Sequence, residues 1–199
     1  MSFSGEAVRV LIVPGLHDSG AGHWQTQLQQ RHRSALRVQQ HDWSVPALER
    51  WADRRIETLA HEPRGPWVAA AHSFGCLALV QALQRGAPAS SGIEAAVLVA
   101  PADPRKFGVS EWLPSQPLPI ASTLVASCTD PWMPFASAVS WSRVWGSQLV
   151  DLGDAGHINV DSGHGPWPLG QQIVERHIQK LNRHRRIERA HPLELSFAI

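Results

Sequence analysis

The sequence contains no tyrosine among its 199 residues. Tyrosine chemistry is therefore excluded, and any hydroxyl nucleophile has to be serine or threonine. Cysteine is almost as scarce. Cys76 and Cys128 are the only two, too few for a disulfide framework or a four-cysteine zinc site. Both stand in apolar stretches, which reads as reduced core packing. Charge is thin and balanced, with Lys plus Arg at 18 against Asp plus Glu at 17, so no net field draws the chain to nucleic acid or to an anionic membrane surface. No apolar run approaches the ~18 residues of a membrane span, and residues 1–8 lack the basic-then-apolar pattern of a secretory leader. These absences lead to the expectation of one soluble, cytoplasmic domain without repeats.

What is present is a regular alternation. Short apolar runs at 7–13, 35–38, 66–71, 93–100, 123–127 and 148–152 read as strands. Between and after them, 23–31, 46–59, 76–83, 135–145 and 170–181 carry helical spacing. Strands apolar on both faces and separated by helices predict an α/β three-layer sandwich, with about six mostly parallel strands and helices on both faces. The Pro-rich segment 102–121 reads as a surface loop. Ligands of such sheets bind beyond the carboxyl ends of the strands, so the residues just after each strand carry the information about function.

One of those positions has a distinctive pattern. In Val68-Ala69-Ala70-Ala71-His72-Ser73-Phe74-Gly75-Cys76 an apolar strand turns sharply into a helix with a serine at the turn. This is the layout of a nucleophile elbow, normally G-x-S-x-G. Gly75 meets the need for a small residue, and Ala71 replaces the first glycine at the cost of one methyl. An ordinary serine N-cap would look similar, so the decision rests on partners, expected in the order acid then histidine. Asp130 follows the strand 123–127 and His157 follows the strand 148–152, which puts both on the sheet edge that holds Ser73. Asp154 is closer to His157 in sequence but shares the histidine's own loop, and placement after a strand favours Asp130. His72 should point away from Ser73 across the strand end, in a packing or supporting role. Backbone N–H groups of Phe74 and Leu16 are the candidate oxyanion donors, with Gly15 permitting close approach.

Other constellations fail on spacing. His17, Asp18 and His23 surround Gly20-Ala21-Gly22, but neither G-K-[ST] nor G-x-G-x-x-G is present. His157, Asp161 and His164 lack a helical i, i+4 pair for a metal. No metal or cofactor is expected.

The chain resembles the small α/β-hydrolase family of serine hydrolases that includes retinoblastoma-binding protein nine and the YdeN-type bacterial proteins. The matching residues are Pro14-Gly15-Leu16, Ser19-Gly20, His23-Trp24-Gln25, Gln40-His41-Asp42-Trp43, Pro46, Trp51, Ala71-His72-Ser73-Phe74-Gly75-Cys76 and Ala100-Pro101-Ala102-Asp103. Ser127-Cys128-Thr129-Asp130-Pro131, Gly156-His157-Ile158-Asn159, Ser162-Gly163 and Trp167-Pro168 continue the match across residues 8 to 180. The resemblance implies a Ser73–Asp130–His157 triad and carboxylester-type hydrolase activity. It implies no substrate, and no segment here would carry retinoblastoma-protein binding.

Several further expectations follow. Trp24, Trp43 and Trp51 should pack helices on the sheet, while Asn159 and Asp42 bond loop backbone. His17, Phe107, Trp112 and Trp132 are the substrate-pocket candidates. A cap domain needs many tens of residues, and 102–121 is too short, so an open site for small or exposed acyl esters is expected. The competing readings are a catalytically weak or inactive binding protein on the same scaffold, and a peptidase or thioesterase with the same triad. The domain is expected over residues 1–182, with a tail at 183–199. In that tail Arg183, Arg185, Arg186 and Arg189 precede an alternation of Leu193, Leu195, Phe197 and Ile199. Alternation suggests an extended segment, either an edge contact in a homodimer or a frayed terminus. The expected partner is a small-molecule ester, with no nucleic acid and no membrane.

Overall fold

A computed structural model describes residues 7–62, 65–86 and 92–194. The six apolar runs form strands β1 (Arg9–Val13), β2 (Leu36–Arg37), β3 (Trp67–His72), β4 (Ile93–Val99), β5 (Ala121–Ala126) and β6 (Gln148–Asp151). They pair in parallel in the order β2-β1-β3-β4-β5-β6. Among the described residues five helices cover the sheet: α1 (Trp24–Arg31), α2 (Leu48–Ala60), α3 (Phe74–Arg85), α4 (Phe135–Val144) and α5 (Pro168–Glu194).

Strand periodicity divides the core into two layers. Leu11, Val13, Ala69, Ala71, Ala96, Leu98 and Leu124 face α2, α3 and α4. The alternate residues Val10, Ile12, Val68, Ala70, Val97, Val99 and Val125 face α1 and α5. Both faces are dry, which is why the strands read as continuous apolar runs. Each fully buried Val, Leu or Ile side chain contributes about 1.5–3 kcal/mol to this core. From β1 the chain crosses to β2 on one side, whereas from β3 it proceeds through β4 and β5 to β6 on the other. The carboxyl ends of β1 and β3 thus flank the point where the winding reverses, the place such sheets offer to ligands.

Two helices differ from their expected outline. On α2, where apolar spacing predicts a helix over residues 46–59, the buried stripe is Leu48, Trp51, Ala52 and Arg55, and the apolar Ile56 is 38% exposed. The stem of an arginine takes that core position instead, and burial lowers the Arg55 pKa to about 10. At the other end of the chain, α5 does not stop near Leu181 but continues to Glu194. The arginines at 183, 185, 186 and 189, and Leu193, are therefore on a helix rather than on an extended segment. Leu195, Phe197 and Ile199 lie outside the described residues. The 102–121 loop contains two short 3-10 turns, Pro104–Phe107 and Ser110–Trp112, and no large cap covers the sheet among the described residues.

Candidate active site

Strand β3 ends at His72 and helix α3 begins at Phe74, leaving Ser73 alone to reverse the chain. Its backbone takes φ 53° and ψ −126°, a conformation that costs a non-glycine residue on the order of 1–3 kcal/mol. Hydrogen bonds on both sides hold it: Ser73 N–H donates to the Val99 carbonyl at 3.1 Å, and Cys76 N–H donates to the Ser73 carbonyl at 3.0 Å. Gly75 has to be glycine, because a Cβ there would run into the carbonyl oxygens of Pro14 and Val13. Ala71, paired with Val13 and Leu98, fits its methyl into the core without exposure. That explains how the elbow tolerates alanine where glycine is usual.

The loops after β5 and β6 bring two further side chains to Ser73. His157 Nε2 lies 2.9 Å from Ser73 Oγ. Its Nδ1 lies 2.9 and 3.0 Å from the two carboxylate oxygens of Asp130. The Asp130 side chain is 2% exposed and that of His157 9%, so both are shielded from competing water. Asp130 also accepts the Trp132 N–H at 2.8 Å, which fixes the carboxylate. Asp154 is occupied elsewhere: it accepts from Thr129 Oγ1 at 2.6 Å.

The turn after β1 closes on the same place. A Cβ at Gly15 would come within 2.7 Å of Ser73 Cβ, so the turn lies directly against the serine. His17 and Asp18 follow with φ of 65° and 60°, and their N–H groups donate to Trp43 and Gly15 carbonyls at 2.9 and 3.2 Å. Arg37 ties the turn down through Asp18 Oδ1 at 2.7 Å and the Ser19 carbonyl at 3.1 Å. The His17 side chain is exposed.

Aromatic rings make one wall. Phe107 packs on Phe74 at 4.9 Å and stands nearly parallel to Trp132 at 6.5 Å, while Trp132 lies 6.2 Å from the His157 ring. The 104–107 turn supports this wall: Asp103 N–H donates to the Trp132 carbonyl at 2.9 Å, and Lys106 Nζ donates to the Pro131 carbonyl at 2.5 Å. Trp112 is 54% exposed and makes no ring contact with the site among the described residues. Trp24 and Trp51 are buried as expected, and Trp43 packs edge-on against Trp51 at 5.6 Å. Asp42 accepts from Ser44, and Asn159 caps the turn at 160–162 by accepting the Ser162 N–H at 3.1 Å.

Three residues support the site: His72, expected in a supporting role, and Gln25 and Trp24, whose hydrogen bonds the sequence did not reveal. Gln25 is fully buried, and its amide nitrogen donates to the carbonyls of Val13 and Ala70 at 3.1 and 2.9 Å. Its oxygen accepts from Ser19 Oγ at 2.5 Å. It therefore plugs the ends of β1 and β3. Trp24 Nε1–H donates to the Ile158 carbonyl at 3.0 Å. His72 Nε2 donates to the His157 carbonyl at 3.0 Å. A carbonyl can only accept, so the proton of His72 sits on Nε2. Burial, and then the charges of His157 and His23, hold the His72 pKa well below the usual histidine range. His23, 4.9 Å from His72 ring to ring, is lowered to about 4, by burial first and then by the Arg37 guanidinium.

The cysteines divide. Cys76 is buried, donates to the Val99 carbonyl, and has its thiol pKa pushed well up by burial. Cys128 corrects the core expectation: it is exposed, beside Asp151. Among the described residues no cluster of His, Cys, Asp and Glu gathers to hold a metal, and no described helix is long and apolar enough to cross a membrane.

The family model described as serine hydrolase matches residues 10–176. The chain belongs to the serine hydrolase family. Among solved structures, this serine hydrolase is similar to one from Pectobacterium atrosepticum described as a YdeN-like hydrolase. Their identity is 35% and the TM-score 0.83, with 88% of this chain and 93% of that chain covered. The ydeN gene product of B. subtilis shares the fold at 19% identity and a TM-score of 0.71, with 87% of this chain and all of that one covered. Thermogutta terrifontis esterase 2 shares it at 16% identity and a TM-score of 0.62, with 89% and 84% covered. No curated protein sequence matches. The fold is thus that of a small α/β-hydrolase, and the family is one of hydrolytic enzymes.

Proposed function

We propose that this hydrolase is a carboxylesterase in which Ser73 is the nucleophile, His157 the general base and Asp130 its orienting partner. One observation carries the reading: Ser73, in a strained elbow, has its Oγ 2.9 Å from His157 Nε2. Asp130 on Nδ1 places the imidazole lone pair towards the serine and stabilises the imidazolium that forms.

The step begins when Ser73 Oγ attacks the acyl carbon and its proton passes to His157 Nε2. The carbonyl electron pair moves onto oxygen, and the oxyanion faces the N–H groups of Phe74 and Leu16. The first lies at the opening of α3, where helix N–H groups lack intrahelical acceptors. The second belongs to the turn after β1, whose His17 and Asp18 N–H groups are already spent on Trp43 and Gly15 carbonyls. Collapse breaks the ester C–O bond, and the leaving alkoxide takes the proton from His157. A water then repeats the attack on the acyl-enzyme, with His157 again as base, and releases the acid and Ser73.

The short 102–121 segment and the open aromatic wall of Phe107 and Trp132 support small or exposed acyl groups as substrates. A fluorophosphonate probe should label the wild type and not Ser73→Ala. p-Nitrophenyl acetate or butyrate should turn over faster than the laurate, and esters faster than the matching thioester or anilide. Absence of labelling in folded protein would sink the triad. Faster turnover of thioester or anilide would replace esterase by thioesterase or peptidase.

A further inference from the structure

Ile158 follows the proposed base directly and is both fully buried and left-handed, with φ 50°. A β-branched residue resists that conformation, which persists only where its surroundings enforce it. Here they do so at both flanking peptide planes. In the plane before Ile158, the His157 carbonyl accepts from His72 Nε2 at 3.0 Å and the Ile158 N–H donates to the Ala155 carbonyl at 3.3 Å. In the plane after it, the Ile158 carbonyl accepts from Trp24 Nε1–H at 3.0 Å and the Asn159 N–H donates to Ser162 Oγ at 3.0 Å. Every polar group around the strained residue is taken, and the two planes between which φ and ψ are defined cannot rotate freely.

The two aromatic donors come from parts of the fold that matter for the serine. His72 is covalently next to Ser73, and its side chain projects to the opposite, α1-facing side with Val68 and Ala70, where it meets the rings of His23 and Trp24. Trp24 opens α1 and is wedged edge-on against Trp167 at 5.2 Å. Both donors are buried, so neither bond competes with bulk water.

We infer that His72 and Trp24 are positioning residues: together they clamp the backbone on either side of Ile158 so that the His157 imidazole meets Ser73 Oγ. The clamp ties the loop of the base to the residue adjoining the nucleophile, across 85 positions of sequence. It rests on the triad reading above, because it acts only through His157. Its expected signature is a loss of turnover without loss of substrate binding, since misplacement by about 1 Å of a reacting group can cost on the order of 10²-fold in rate.

The test compares His72→Phe, His72→Gln and Trp24→Phe, assayed with p-nitrophenyl acetate and by the rate of fluorophosphonate labelling, with thermal melting as a fold control. Phenylalanine keeps an aromatic ring and removes the donor at either position. Glutamine can return an N–H donor close to the place of imidazole Nε2. His72→Phe and Trp24→Phe should each lower kcat by about tenfold or more, slow labelling in parallel, and leave KM within about threefold. His72→Gln should recover most of the lost kcat. Folded Phe variants with wild-type kcat would overturn the clamp, as would His72→Gln no better than His72→Phe. If His72→Phe does not fold, Trp24→Phe decides alone by the same criteria. Ser73→Ala separates the two readings: turnover surviving in it refutes the triad, whereas turnover lost there but intact in the folded clamp variants refutes only the clamp.

Discussion

Gly15 and Ser73 are pressed together at the carboxyl ends of neighbouring strands, so that a Cβ on Gly15 would stand 2.7 Å from Ser73 Cβ and 3.0 Å from the His72 carbonyl oxygen. The first approach is too short for real atoms and the second is tight, and neither neighbour is the far end of a flexible chain. Gly15→Ala therefore has to push the β1 turn away from the elbow, and with it the Leu16 N–H. The expected outcome is a folded protein with kcat on p-nitrophenyl acetate reduced by ~10²-fold, the usual effect of losing one oxyanion donor. Circular dichroism and steady-state kinetics check it. Unchanged kcat would remove Leu16 from the oxyanion site.

The two aspartates near His157 should separate cleanly. Asp130→Asn removes the acceptor that sets the imidazole tautomer, and turnover should fall by about 10³-fold or more. Asp154→Asn alters the acceptor of the Thr129 hydroxyl, which itself accepts the Gly156 N–H at 3.0 Å. It should cost less than about tenfold. Comparable losses in both would mean that the acid has been misassigned.

Gln25 offers a test of stability rather than of rate. Gln25→Leu would strand the carbonyls of Val13 and Ala70 in the core, where each unpaired polar group costs about 1–3 kcal/mol. A loss of about 2–4 kcal/mol in urea unfolding is expected. The comparison is Arg54→Ala, which removes a surface pair with Glu57 and should cost less than about 1 kcal/mol. Similar midpoints for the two variants would contradict the plug.

Acid should destabilise the fold through His23. Its Nδ1 accepts the Gln25 N–H at 3.1 Å as the N-cap of α1, which a protonated ring cannot do. Burial and Arg37 lower its pKa from 6.5 to about 4. The unfolded state therefore binds the proton first, so stability is intact above pH 6.5 and falls as pH drops towards 4, by up to about 3 kcal/mol. Protonation of His72, whose pKa is also lowered, acts in the same direction. His23→Asn keeps a capping acceptor and cannot titrate, so its melting temperature should depend less on pH over that window. Parallel profiles for wild type and variant would remove His23 as the cause.

Much of this was legible before any coordinates. The strands announced themselves because a parallel sheet buried on both faces needs unbroken apolar runs, and Ala7-Val8-Arg9-Val10-Leu11-Ile12-Val13 or Val68-Ala69-Ala70-Ala71 can be little else. Ser73, Asp130 and His157 were visible for a related reason: each follows a strand, and parallel strands deliver all such residues to one edge. Less was legible where local pattern and burial part company. Arg55 occupies a core position that periodicity alone would give to an apolar residue, and Cys128, in an apolar stretch, faces Asp151 and solvent. The helical continuation of α5 past Leu181 was hidden because Leu193, Leu195, Phe197 and Ile199 alternate as a strand would.

The sequence by itself determined the layered α/β fold and the serine at a strand-to-helix turn, with Asp130 and His157 after later strands, because backbone periodicity and turn chemistry are local properties of the chain. Only the tertiary structure decided that the Asp130 carboxylate comes within 3.0 Å of His157 Nδ1, that Gln25 is fully buried between β1 and β3, and that His72 and Trp24 donate to the carbonyls on either side of Ile158. Those outcomes depend on distances of about 3 Å between residues up to 134 positions apart. A hydrogen bond weakens steeply outside that narrow range, and no spacing along one chain encodes which donor will meet which carbonyl once the sheet has formed.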